Sequence, residues 1–309
     1  MKAKIIKLLK NANTPLSGEI ICQDLGVSRV SVHKHINTLR ERGYAITASS
    51  AGYTLDKEGD FLFPWEFEGR ESLIHYFEET TSTMAVARDL AEKGCPTMTV
   101  AVAQRQTRGR GRLDRTWDSR DGGLYFTVVL RPTFPINQVY KVLFTASVCL
   151  AGVIRDLTGI EASVKWPNDI LVGEKKLTGM LSEMATQDEF IQNVNLGIGV
   201  NVNNNPSSVE PNAVSIKELL GREFPRREIL SGFLDRLESR LEASGEDVIA
   251  LWKQYTSTLG RPVRIQTTRS VLEGTAVDVN SHGSLMVELA DGSLEEIFHG
   301  DCFYRSGEA

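Results

Sequence analysis

The chain has 309 residues, of which 41% are hydrophobic and 24% charged, and a net charge of −5. This is the composition of a globular protein long enough for two or three domains, and it excludes a disordered, collagen-like or multi-span membrane chain. Charge is uneven: residues 1–55 hold eight Lys/Arg against three acids, giving +5, so the remainder carries −10 and nucleic acid is a candidate partner for the first part only.

From the N-terminus, Ile5, Ile6, Leu8 and Leu9 follow helical spacing, and the helix is predicted to stop near Asn13 and Pro15. Lysines 2, 4, 7 and 10 break every apolar run there, so no signal peptide is predicted and a cytoplasmic location is expected. Ser17 is placed to cap a second helix that ends at Gly26, and Ser28 to cap a third running to about Arg42. In the third helix Val32, Ile36 and Leu39 share one face, which leaves Ser28, Arg29, Ser31, His33, Lys34 and Asn37 as candidate DNA contacts. His35 is expected to pack or to face solvent. Tyr44 to Leu55 reads as two strands around a small-residue turn. Helix, turn, helix and two-stranded wing resemble the winged helix-turn-helix family, a DNA-binding fold; the alternative is a docking module with a solvated basic face.

The aromatic stretch from Gly59 to Gly69 leads towards a second domain. Strands are predicted at 97–103, 125–130, 162–166, 170–172, 176–183 and 194–202, and helices at 83–93, 136–157 and 226–243. The uncharged stretch Val142 to Ile154 is too short for a bilayer and is read as a buried helix. Beyond Pro262 short strands and turns indicate a small all-β module. The fold class is therefore α+β, with domains expected at 1–60, 70–260 and 261–309, the central one carrying a largely antiparallel sheet. Cys22, Cys95, Cys149 and Cys302 lack zinc-site spacing and are read as four buried thiols.

Three segments carry chemistry. Residues 104–117 hold five arginines, and Gly109 and Gly111 allow backbone to approach a ligand while guanidiniums pair with phosphate or carboxylate. The loop is neither a Rossmann fingerprint, because Asp114 stands where the third glycine belongs, nor a P-loop. In residues 164–183, Asn168 and Asp169 form a polar turn, and alternation is expected to put Lys176 and Thr178 on one face and Leu177 on the other, with Lys176 reaching the site. In Gly197-Ile-Gly-Val-Asn201 the strand glycines permit a flat ring to lie on the backbone.

The ordered set of Gln106-x-x-Gly-Arg-Gly-Arg112 with Trp117, Lys-Trp-Pro-Asn-Asp169, Lys-Leu-Thr-Gly179 and Gly-Ile-Gly-Val-Asn201 resembles the biotin protein ligases, and with the winged helix in front the bifunctional form that also represses biotin operons. The resemblance implies a ligase domain like that of class II aminoacyl-tRNA synthetases, a C-terminal SH3-like β-barrel, and activation of biotin by ATP and Mg²⁺ to biotinyl-5′-AMP. It further implies transfer to the biotin carboxyl carrier protein of acetyl-CoA carboxylase, operator DNA of biotin genes as a partner, and a homodimer when the adenylate, as corepressor, is bound. Carried onto this sequence, Ser82, Thr83, Met84, Gln106, Gly109, Arg110, Gly111, Arg112 and Lys176 would hold biotin. Arg115, Trp117, Asn168, Gly197, Gly199 and Asn201 would hold the adenylate. Lys176, Arg110, Arg112 and Asp169 would be catalytic, with Asp169 also the metal ligand and the base for the incoming lysine. Met84, Arg108 and Asp114 depart from the family pattern. A lipoate-type ligase and a sensor without ligase activity are the alternatives.

Overall fold

Ser17 and Ser28 cap the helices that follow them. In the computed structural model, which describes residues 1–112, 115–187, 190–243, 247–267 and 270–304, their hydroxyls accept from the backbone N–H of Ile20 and Ser31. The helices are α1 (Lys2–Asn11), α2 (Gly18–Leu25) and α3 (Arg29–Glu41), and Gly26 closes α2 in the left-handed conformation. Ile5, Ile6, Leu9, Ile21, Val32, Ile36 and Leu39 are buried, each contributing about 1.5–3 kcal/mol. Strands β1 (Ala45–Ser49) and β2 (Gly52–Lys57) pair antiparallel as a wing, which Leu16 extends by pairing with Tyr53. This first compact unit runs from Met1 to Ile74. It takes in the aromatic stretch: Leu62, Phe63 and Phe67 are buried, and the rings of Tyr44, Phe61, Phe63 and Trp65 follow one another at centroid distances of 4.2, 5.6 and 4.7 Å.

The second unit, His75–Ala309, contains the seven-stranded sheet. Its elements are β3 (Ile74–Thr80), α4 (Thr83–Glu92), β4 (Thr99–Gln106), β5 (Leu124–Leu130), α5 (Tyr140–Thr158), β6 (Ala162–Lys165), β7 (Asp169–Val172), β8 (Lys175–Gln187) and β9 (Phe190–Val200). They are followed by α6 (Ile216–Leu220), α7 (Arg226–Glu242) and α8 (Val248–Tyr255). The strand order is β3-β4-β5-β9-β8-β7-β6, with antiparallel pairing from β4 through to β6. All seven residues of β5 are buried, because both faces of the sheet are covered. On one face Phe126 packs edge-on against Phe233 of α7 at 5.5 Å, and α7 lies with α8 beside α5. On the other, Ala101 and Val129 meet Ala87 and Ala91 of α4. The apolar helix α5 buries twelve residues, Val142 among them, which accounts for its hydropathy without a membrane. Strand β3 and helices α6 and α8 were not among the predicted elements. The first mixes apolar and charged residues in an irregular burial pattern, and the two helices are only 5 and 8 residues long.

The C-terminal strands β10 (Pro262–Gln266), β11 (Val271–Val279), β12 (Leu285–Glu288), β13 (Leu294–Ile297) and β14 (Asp301–Tyr304) form a separate antiparallel sheet ordered β13-β12-β11-β10-β14. Cys149 and Cys302 are buried as expected, but Cys22 and Cys95 are only half-buried, since each packs on one side of its helix or loop.

Candidate active site

A cleft of about 920 Å³ opens on the α4 face of the sheet. One end is built at the start of α4. Ser82 is the residue before the helix, yet its hydroxyl caps nothing and is buried without a hydrogen-bond partner among the described residues. Thr83 is saturated instead: its N–H and hydroxyl donate to Gln106 Oε1 at 2.8 and 3.1 Å, and it accepts from Thr127 at 2.9 Å. Gln106 Nε2 donates to Ser119 at 2.9 Å. Of the three polar residues expected there, Ser82 is the one with an unmet bond, a cost of about 1–3 kcal/mol that a ligand can relieve. Met84 supplies apolar wall, its sulfur 2.5 Å from where a Cβ on Gly197 would stand.

The arginine loop folds back on itself as a hairpin, with Arg110 bridged to Thr116, Trp117 N–H donating to Gly109 O at 3.0 Å and Gly111 N–H to Arg115 O at 2.7 Å. Gly109 is required by the loop itself rather than by a ligand, since a Cβ would come within 2.3 Å of Trp117 O. The arginines go to different partners. Arg105 lies 3.3 Å from Asp121, Arg110 2.8 Å from Glu183, Arg112 donates to Asn168 Oδ1 at 3.0 Å, and Arg115 lies 2.5 Å from Asp301. Arg108 is exposed, and among the described residues it is tied through its backbone N–H to Thr81 O. Burial holds the Arg112 guanidinium below its ordinary value, with Arg115 pushing the same way and Asp301 and Asp169 opposing. Asp114, one of the departures from the family pattern, lies outside the described residues.

The loop ends in Trp117, whose indole lies on a floor made by Gly179 and Gly199, paired across β8 and β9. A Cβ on either glycine would come within 2.7 or 2.4 Å of the ring. The flat ring that the strand glycines admit is thus the chain's own, and its Nε1 is buried without a partner among the described residues. Lys176 Nζ is 2.7 Å from Asp169 Oδ1 and 5.6 Å from the Trp117 ring centroid.

One expectation is corrected here. Ile170 pairs with Thr178 but Leu171 with Lys176, so Leu177 is an extra, bulged residue. The bulge puts Lys176 on the face of Gly179 and sends Thr178 to the opposite, buried side, because one inserted residue reverses the alternation. Asn168 is already engaged: its Nδ2 donates to Met180 O at 2.6 Å while its Oδ1 holds Arg112. Asn201 is buried and accepts from Asn204 at 2.9 Å.

Sequence patterns gave no role to Lys165, Glu183, Arg261, Asp301 or Tyr304. All but Glu183 line the cleft, Arg261 stacking on Tyr304 at 4.0 Å, and Glu183 holds Arg110 at its rim. Lys165 and Glu183 lie within residues 164–183, where alternation gave them no role, and the other three come from the C-terminal strands and the segment before them, so no local spacing announces them. Among the described residues no cluster of three or more His, Cys, Asp or Glu could cage a metal ion.

In the first unit Arg29, His33 and Lys34 are exposed on α3, with Ser31 and Asn37 half-buried. Arg29 lies 2.9 Å from Glu19 and Asn37 3.3 Å from the His33 ring. Ser28 is exposed while its oxygen serves as the helix cap. Burial first, then Lys2, the N-terminus and Lys34, lowers the pKa of His35, which favours a neutral ring there.

The first unit is thus a helix-turn-helix fold, and the second carries the cleft. The Biotin/lipoate A/B protein ligase family matches residues 76–201, an HTH domain residues 2–54 and the biotin protein ligase C-terminal domain residues 258–305. The chain is 31% identical to the bifunctional ligase/repressor BirA of Bacillus subtilis over 97% of its own length and 98% of that protein. It is 25% identical to the BirA of Escherichia coli over 99% and 97%. It belongs to this family of bifunctional biotin ligase/repressors. Among solved structures, biotin protein ligase from Aquifex aeolicus in complex with biotin and ATP superposes with a TM-score of 0.65 at 29% identity, covering 76% of this chain and 99% of that one.

Proposed function

We propose that the cleft joins biotin to ATP, holds biotinyl-5′-AMP, and passes the biotinyl group to a lysine of the biotin carboxyl carrier protein of acetyl-CoA carboxylase. The observation that carries this reading is that one cleft is lined by Lys176 and Arg112, by the unpartnered Ser82 hydroxyl and by the glycine floor under Trp117. Ser82, Thr83, Met84 and Gln106 form the biotin-ring end, with Gly109 to Arg112 over the carboxylate. Arg115, Trp117, Asn168, Gly197, Gly199 and Asn201 form the adenylate end.

In the first step a biotin carboxylate oxygen bonds to the α-phosphorus and the bond to the bridging oxygen breaks, releasing diphosphate. Two anions must approach, so Lys176 and Arg112 lower the barrier as fixed positive charge. Asn168 aims Arg112, and Asp169 holds Lys176. In the second step the carrier lysine nitrogen bonds to the acyl carbon, AMP leaves, and the lysine proton passes to a carboxylate, for which Asp169 is the nearest to Lys176. Asp169 fits a magnesium ion as well, because that ion takes one or two carboxylates and completes its shell with substrate phosphates and water. Magnesium would add charge neutralisation at the phosphates.

The three-part organisation at 1–60, 70–260 and 261–309, with an SH3-like last module, is supported by the separate sheets and the three matched segments. The exposed face of α3 is read as the contact with operator DNA of biotin genes, by a homodimer that the adenylate promotes as corepressor, in the cytoplasm. Incubating the full chain with ATP, Mg²⁺, labelled biotin and a biotin carrier domain tests the ligase. Label should enter the carrier with release of AMP and diphosphate, and labelled lipoate entering in its place would overturn the assignment. Gel shifts on biotin-gene promoter DNA should require both biotin and ATP; equal binding without them would remove the corepressor role.

A further inference from the structure

Arg110 stands beside Arg112 in the loop yet takes a different environment. Arg112 turns inward to Asn168, whereas the Arg110 guanidinium turns to Glu183, its Nη1 donating to Oε1 at 2.8 Å. The second carboxylate oxygen of Glu183 accepts from Arg88 of α4 at 2.6 Å. Glu183 is the better buried of the three, at 26% side-chain exposure against 46% and 50% for Arg110 and Arg88. One carboxylate on β8 thus ties the arginine loop to the helix that begins at Thr83, just after Ser82.

We infer that Glu183 is the positioning residue of the arginine loop: it fastens Arg110 at the rim so that Arg112 faces the cleft, and Arg110 acts as a latch rather than as a charge on the reacting phosphate. Arg112, by contrast, is hydrogen-bonded to the neutral Asn168. The latch role rests on the proposed adenylate reading for its consequence, but not for its geometry.

Two measurements separate the inference from that reading. In the ligand-free chain, Glu183→Gln should speed hydrogen exchange at the Gly111 and Trp117 amides, which are bonded within the loop. In the loaded chain the same variant should release biotinyl-5′-AMP about fivefold faster, the factor for about 1 kcal/mol from a partly exposed pair. Arg88→Ala keeps the Arg110 contact and should change release by less than about twofold. Arg110→Gln should reproduce the exchange phenotype, whereas Arg110→Lys, which keeps a charged donor for Glu183, should retain most of the protection, which a fold defect would not do. Unchanged exchange in both single variants overturns the inference. A wild-type chain that forms no adenylate overturns the ligase reading instead, while the exchange result still decides the latch.

Discussion

The two ends of this chain carry function in different physical ways. In the first unit the proposed DNA contacts lie on the outer face of one helix, placed by caps at Ser17 and Ser28 and by a buried stripe of Val32, Ile36 and Leu39. Helical geometry alone sorts the side chains into core and surface. In the second unit four of the five arginines within eleven residues are held by side-chain partners that lie up to 186 positions away, as Arg115 and Asp301 do. A surface that reads phosphates needs only charge facing outward, whereas a cleft that draws two anions together needs each charge fixed in direction.

The strongest way to break the comparison is at Lys176. Lys176→Ala should raise the adenylation barrier by roughly 3–4 kcal/mol, as for loss of a group stabilising a developing oxyanion, and diphosphate release at the wild-type rate would refute it. Operator binding should fall with it, because the adenylate is the proposed corepressor. Next, Gly199→Val puts a side chain into the Trp117 ring and should cost about 1–3 kcal/mol by overpacking. We expect KM for ATP to rise more than KM for biotin, and a shifted tryptophan emission; an equal rise in both would detach Trp117 from the nucleotide end.

In the first unit, Arg29→Ala or Lys34→Ala should weaken operator binding and lower the salt slope by about one each, with biotin transfer unchanged. A slope equal to wild type would remove those side chains from the phosphate contacts. The smallest effect is expected at the cysteines. Burial pushes the Cys302 thiol up to about 12, so at pH 8 it stays protonated and unreactive, and only more alkaline solution would free the thiolate. Iodoacetamide at pH 8 should therefore label the half-buried Cys22 ahead of Cys302; the reverse order by mass spectrometry would contradict that burial.

Much of the scaffold was legible in the residues. The three N-terminal helices and the wing follow from capping serines, Gly26 and 3.6-residue spacing, all of which act within one or two turns. The central strands were readable from their apolar runs because both faces of the sheet are covered. Strand β3 was not, because its alternation is broken by Glu78 and Glu79, and α8 was missed because eight residues give too short a period to separate helix from strand.

The site divides along the same line. Residue types and order alone determined that the chain bears an arginine loop, a polar turn with a nearby lysine, and strand glycines, because those are properties of composition and spacing. Only the tertiary structure decided where each points. The bulge at Leu177 turned Lys176 to the glycine floor and Thr178 away from it, Trp117 took that floor for its own ring, and Glu183 drew Arg110 to the rim while Asn168 held Arg112 inside. Direction depends on a partner, and these partners become neighbours only when strands distant in sequence are hydrogen-bonded into one sheet.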